Sequence, residues 1–272
     1  MKTKKYTWLW MGTLLFAMSA NQVSAEKLKV CSFKKYPFVS ETKNMGEFKG
    51  FSWDFIQEAF KGSDFELDFI APVFEDSSCF TKVDKLQASL GLDAEQITNT
   101  AIYHRDRDRN ERLFQTKPYY EVSLGYFYPQ DMADPFQPDG LNSLKKNPLC
   151  GVAGWNYETF GIPDALITKR INEPEGLTIF SFVQGKDCVA LLEYESILGA
   201  IKAGKVYWDG YLVKHNLAPN SKKKPFHVLI GPGQNTTPEK IQTFLNKAID
   251  RMKADGSLQK LWQTYFPPET EN

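Results

Sequence analysis

The residues best suited to chemistry lie in Arg105–Tyr120, RDRDRNERLFQTKPYY, where four arginines precede Phe114 and a Lys-Pro-Tyr-Tyr turn. A guanidinium is a planar fork of donors that grips a carboxylate at two points. Such a cluster belongs at an edge or in a cleft, and its chemistry is anion recognition. Alternating Arg and Asp can also pair with one another on a solvated face, and Arg105 is read that way. The three histidines, His104, His215 and His227, are scattered and read as surface or capping residues. No His, Cys or paired carboxylate is spaced for general acid–base work. The four cysteines, Cys31, Cys79, Cys150 and Cys188, have no CxxC spacing, so disulfides rank above a zinc site. No cofactor and no metal are expected.

The elements that must position these residues follow from periodicity. Leu28–Phe33 alternates as a first strand and enters the turn Tyr36-Pro37-Phe38. Gly46–Gly50 reads as a hairpin or loop tip. From Phe51 the apolar residues 51, 55, 56, 59 and 60 have helical spacing, and Gly62 ends the helix. Phe65–Ile70 is a second strand. Asp76-Ser77-Ser78 can cap a helix carrying Phe80, Val83, Leu86 and Leu90. Strand and helix in alternation imply an α/β sheet whose strand ends gather on the ligand side. Glu121–Tyr128 is a long aromatic strand, followed by the polar link Pro129–Gly140.

A new unit begins at Leu144. Leu149–Ala153 reads as a strand, and Gly154-Trp155-Asn156-Tyr157 turns into a helix whose free N–H groups can receive an oxyanion. Leu177–Val183 is read as a strand, Asp187 as the cap of a helix with Val189, Leu191 and Leu192, and Ser196–Ile201 as a strand. Ser221–Lys224 is a basic tip, and Phe226–Ile230 a strand. Thr237-Pro238-Glu239 opens a helix with apolar positions 241, 244, 245, 248, 249 and 252, and Gly256 stops it. A last short helix carries Leu258, Leu261, Trp262 and Tyr265.

The N-terminus reads as a secretory signal peptide, residues 1–25. Lys2, Lys4 and Lys5 are followed by the apolar stretch Trp8–Ala20 and the small-residue site Val23-Ser24-Ala25. No later run is long and apolar enough to span a bilayer. The 33 Lys+Arg balance 33 Asp+Glu, and cleavage would leave a slight acidic excess. Neither nucleic acid nor an anionic membrane is indicated as a partner. A weak internal repeat places Cys31 and Cys150 on equivalent strands and Cys79 and Cys188 at equivalent helix starts. It predicts the pairs Cys31–Cys79 and Cys150–Cys188, each within its own lobe.

Together these features resemble the family 3 periplasmic solute-binding proteins, which include amino-acid receptors of ABC importers. The resemblance rests on Leu28-Lys-Val with Tyr36-Pro37-Phe38, Gly50-Phe-Ser-Trp-Asp54, Pro118-Tyr119-Tyr120, Leu144 through Gly154, Asn246 through Gly256, and Trp262–Phe266. It implies an α/β, two-lobed, type II clamp, each lobe a mixed sheet flanked by helices. Lobe one would hold 26–125 and 226–272 and lobe two 126–225, with a hinge near Tyr126 and Phe226. By the family's spacing Arg109 would hold a ligand carboxylate, with Arg107 or Arg112 as substitutes if the loop is shifted. Phe33, Tyr36 and Phe38 lie where relatives stack a ring on the ligand, although at least one of them is expected to serve the core. Gly154, Trp155, Asn156 and Tyr157 match the Gly-polar turn of the second lobe.

Amino-acid binders also carry an acid after the strand that follows the Cys188-type helix. With Ser196–Ile201 as that strand, no carboxylate follows. Glu193, Glu195 or Asp209 would serve only in a shifted register. The expected ligand is therefore a carboxylate-bearing solute, an amino acid or related. An anion is better supported than a particular amino acid, with small organic acids and a larger amino-acid derivative held elsewhere both open. The function implied is a monomeric, periplasmic, non-catalytic receptor for a small polar solute, serving an inner-membrane ABC permease. The alternatives are an exported enzyme on the same fold, similar to cyclohexadienyl dehydratase, and a receptor module for a separate membrane signalling partner.

Overall fold

A computed structural model describes residues 25–32, 37–41, 47–70, 79, 81–83, 87–95, 114–137, 140–144, 146–172, 183, 187–202, 213–218, 221–231 and 236–266. The segment 1–24, Phe33, Tyr36, His104, the arginines 105–112 and Asp209 lie outside the described residues, as does nearly all of the strand expected at 177–183.

The described chain builds two mixed sheets. It begins with β1 (Glu26–Cys31), a short hairpin of β2 (Ser40–Glu41) and β3 (Phe48–Lys49), helix α1 (Phe51–Phe60), and β4 (Phe65–Phe69). Then come β5 (Leu90–Glu95), β6 (Phe114–Gln115) and β7 (Tyr120–Val122). The chain continues through β8 (Leu124–Pro129), α2 (Leu141–Leu144), β9 (Leu149–Val152), two 3-10 turns, β10 (Lys169–Ile171), β11 (Val189–Glu193) and α3 (Tyr194–Lys202). It closes with β12 (Val213–Leu217), β13 (Lys224–Ile230), α4 (Pro238–Ala254) and α5 (Ser257–Tyr265). The first sheet runs β4-β1-β5-β13-β6, with β7 also on β13, and the second runs β10-β9-β11-β8-β12. β1 is parallel to β4 and β5, and β9 is parallel to β10 and β11. β13 in one sheet and β8 in the other are antiparallel to their neighbours. The chain passes from the first sheet to the second at Ser123 and returns between Leu217 and Lys224.

Apolar spacing sets the core. α1 buries Phe51, Phe55, Ile56, Ala59 and Phe60, and α4 buries Ile241, Leu245, Ala248, Ile249 and Met252. Pro238 stands in the first turn of α4, where its fixed φ and missing N–H do no harm. Gly50 is required by close approach. A side chain there would run into the Phe38 carbonyl, and without one the N–H groups of Phe51 and Ser52 reach Pro37 O and Phe38 O at 3.0 Å each. The start of α1 is thereby fixed on the turn that follows β1. Disulfides join Cys31 to Cys79 and Cys150 to Cys188.

Several expectations are corrected. Val189–Glu193 is a strand, not a helix capped by Asp187, because its five residues are buried on both faces, as suits the middle of a sheet, here between parallel β9 and antiparallel β8. Ser196–Ile201 is helix, not strand, since it is the body of α3. Cys79 is helical while Cys188 immediately precedes β11, so the two disulfides do not occupy equivalent places. The long strand Glu121–Tyr128 is likewise two strands broken at Ser123, and Leu90 opens β5 instead of closing a helix. His227 is buried and His215 half-buried, so neither is a surface residue.

Candidate functional site

The first crossing between sheets is held by the start of α3. Ser123 N–H donates to Glu195 Oε2 at 2.7 Å, and Ser123 O accepts from Tyr194 N–H at 2.9 Å. Glu195 is buried, and that burial pushes its carboxyl up to about 7 against the opposing pull of the Ser123 N–H, with the charge of Glu193 adding to the rise.

Glu193 closes β11 and is 3% exposed. Its Oε2 accepts from Ser196 Oγ at 2.8 Å. Its charge is felt in both sheets. Burial first, then Asp93 and Tyr119, and then Glu193 hold the Tyr120 hydroxyl well above its ordinary range. Tyr157, in the 3-10 turn that packs on the second sheet, is raised chiefly by burial, with Glu193 again contributing. Glu193 pairs with Leu124, the first residue of β8 after the crossing, so it stands where the two halves meet, at the C-terminal end of a strand with a parallel neighbour, the usual side for ligands.

The first sheet brings a second buried acid to the C-terminal end of β5. Asp93 has φ 60, in the left-handed region, and is 1% exposed. The pairing of β13 with β5 jumps from His227↔Ala94 to Leu229↔Gly91, so Leu92 and Asp93 together oppose one residue. This bulge re-aims the Asp93 side chain. Asp93 Oδ1 accepts from Tyr119 Oη at 2.5 Å, from Tyr120 Oη at 3.0 Å, and from Ser52 Oγ. One carboxylate thus ties the first turn of α1 to β5 and to the approach to the crossing.

α3 also rests on the first half of the molecule. Lys202 Nζ donates to Gln263 O at 2.9 Å and Thr264 O at 3.3 Å, carbonyls in the last turn of α5. A cation there complements the helix dipole. Gly199 lies so near Pro37 and Phe266 that a Cβ would meet Pro37 Cγ at 2.7 Å.

The turn of the second half is more closed than its sequence suggests. Gly154 (φ 83) and Asn156 are exposed, and Trp155 is half-buried. Residues Tyr157–Phe160 form one 3-10 turn. Asn156 Oδ1 accepts the Glu158 N–H at 3.1 Å, and Asp164 Oδ1 accepts the Tyr157 N–H at 3.2 Å. The donors expected to be free at positions 157 and 158 are therefore taken by the protein. Tyr157 is buried, accepting from Val152 N–H at 2.7 Å and donating to Leu191 O at 3.0 Å, so it braces the sheet. Arg170 locks the turn from outside, bonding Trp155 O at 2.8 Å and Asp164 Oδ2 at 2.6 Å.

Phe38 is fully buried, stacked on Tyr120 at 4.8 Å and packed on Phe266 at 5.3 Å, which is the core role allowed for one of the three aromatic residues. Phe33, Tyr36, Arg107, Arg109 and Arg112 lie outside the described residues. The absence of an acid in the second half is corrected. The strand after Cys188 is β11, and Glu193 ends it. Asp93 was missed, although a lone Asp amid the apolar run Leu90–Ala94 was its signal. Among the described residues no group of three or more His, Cys, Asp or Glu could hold a metal ion, and no helix is long and apolar enough to cross a membrane.

A search of curated proteins finds no match to this sequence. Solved structures resemble it along nearly its whole length. An arginine 3rd transport system periplasmic binding protein from Legionella pneumophila superposes with a TM-score of 0.60 at 18% identity, covering 89% of this chain and 100% of that one. An ancestral amino-acid-binding protein, a precursor of cyclohexadienyl dehydratase, gives 0.62 at 17% identity over 88% and 95% of the two chains. A histidine kinase sensor domain with similarity to periplasmic binding proteins gives 0.65 at 10% identity over 90% and 97%. At these identities the likeness is one of fold, a two-lobed α/β clamp. The sequence profile of the bacterial extracellular solute-binding proteins, family 3, matches residues 28–268, and the chain belongs to that family.

Proposed function

We propose that this solute-binding protein is a periplasmic receptor for a free amino acid, which it holds between its two halves and presents to an inner-membrane ABC permease. The observation that carries this reading is Glu193, a buried carboxylate closing the central strand of the second sheet beside the crossing. A ligand ammonium brought to it makes a charge-assisted bond in a water-poor site. Arg109, with Arg107 and Arg112 as its substitutes, is the complementary grip for the α-carboxylate. The receptor acts as a monomer without turnover, after removal of residues 1–25.

The hinge is assigned to the two connections between sheets, Ser123 and the return before Lys224, with lobes of about 26–125 plus 226–272 and 126–225. Ligand binding across both halves favours the closed form.

The test is a thermal-shift and calorimetric screen of the mature protein with the amino acids and their deaminated acids. Binding to the native state raises the melting temperature by mass action. The reading expects an amino acid to bind and its deaminated counterpart to bind at least ~30-fold more weakly, as loss of a buried charged partner requires. Equal binding of the two would refute the role of Glu193. Product formed from prephenate or arogenate would replace the receptor with an enzyme.

A further inference from the structure

A cavity lies at the crossing between the halves, and of the buried acids described above only Glu195 lines it. It has a volume of about 660 Å³, is open to solvent on one side, and is lined by α5, α4, α3, the approach to Ser123 and the return segment before β13. Asp93, Glu193 and residues 154–157 do not line it. Its walls belong to both halves: Leu198 on α3, and Leu258 and Trp262 on α5. The size is that of a small-molecule site.

The polar groups of this cavity are sorted by position. Glu195 is buried and bonded to the Ser123 N–H, so its charge is spent on the crossing, and burial leaves much of it protonated at neutral pH. Glu121 is exposed at the rim. Lys223 and Lys253 come from separate elements on the lining, and Lys253 Nζ is steered by its bond to Pro118 O at 2.8 Å. The apolar wall with an indole, together with two exposed lysines on the lining, suits a ligand with a flat apolar body and one carboxylate.

We infer that this hinge cavity is a second binding site, separate from the amino-acid cleft, for small aromatic carboxylates. The occupant touches α3 and α5 together, the two helices joined by Lys202, so it bridges the halves.

Phenylacetate is the probe, with phenylacetamide as the uncharged control. Titration of the mature protein, followed by indole N–H resonances, should shift Trp262 and leave Trp155 in place, with a Kd on the order of 1 mM for a ligand of this size. The exposed Gln259→Trp, which fills the mouth, and the pair Lys223→Met/Lys253→Met should each weaken phenylacetate at least ~10-fold, and phenylacetamide should bind at least ~10-fold more weakly than phenylacetate to the unaltered protein. The proposal is overturned if phenylacetate does not bind, if it shifts Trp155 instead of Trp262, or if Gln259→Trp binds it unchanged. Equal binding of phenylacetamide, or full affinity without the two lysines, would also overturn it.

Discussion

Replacing Glu195 with Gln removes a charge from the crossing without removing its acceptor. The amide oxygen of Gln can still take the Ser123 N–H that Glu195 Oε2 now accepts at 2.7 Å. In the native protein burial raises the carboxyl from 4.5 to about 7. The folded state therefore holds this proton more tightly than the unfolded chain. The resulting stability is complete below about pH 4.5 and is lost as pH rises through about 7. The interval corresponds to about 3 kcal/mol, since each pKa unit is worth about 1.4 kcal/mol. Gln cannot ionise and keeps that stability at every pH. Wild type and Glu195→Gln should thus differ little in their pH response below pH 4.5 and diverge above it. By pH 8 the variant should gain about 3 kcal/mol relative to its acid offset, or roughly 6–12 °C in a chain of this size. Denaturant melts at closely spaced pH values measure this. Stability profiles that stay parallel from pH 4.5 to 8 would refute the reasoning, because Glu195 would then ionise in the folded protein as readily as in the unfolded one.

Three further outcomes follow from named contacts. Asp93→Ala leaves the hydroxyls of Ser52, Tyr119 and Tyr120 without their shared acceptor. It should cost at least ~3 kcal/mol in chemical denaturation, with Asp93→Asn costing less; a loss below about 1 kcal/mol would show that the cluster is not a structural tie. Lys202→Met removes the bonds to the last turn of α5 and should enlarge the ligand-free radius of gyration in X-ray scattering, while weakening ligand binding up to ~5-fold; an unchanged radius would mean the contact does not hold the halves together. Arg109→Ala should lower affinity for the bound amino acid by ~30-fold or more, and unaltered affinity would move the carboxylate grip to another residue.

Much of the fold can be read directly because its signals are local. α4 carries its apolar positions at clean helical spacing, with Pro238 at its start and Gly256 after its end. α1 reads equally well from residues 51 to 60. The error at 187–202 has a physical cause. A strand buried on both faces, such as Val189–Glu193, shows no alternation, and a short apolar run can be taken for either element. That one slip moved the expected acid away from Glu193 and with it the reason to expect a ligand ammonium. A lone Asp in an apolar run marks Asp93, but its partners could not be read from sequence. Its partners Ser52, Tyr119 and Tyr120 are distant in the chain, and only the bulge against β13 brings them to one oxygen. Tyr157 illustrates the same limit. Aromatic residues wall ligands and brace cores with equal ease, and only its bonds to Val152 and Leu191 show which it does.

The most direct test of the receptor reading compares one amino acid with its deaminated acid on two proteins by titration calorimetry. Wild type should prefer the amino acid by ~30-fold or more if, as proposed, buried Glu193 meets the ammonium. Glu193→Gln should erase most of that preference by weakening the amino acid alone. If the variant keeps the full preference, the ammonium is held elsewhere and the assignment of Glu193 is wrong.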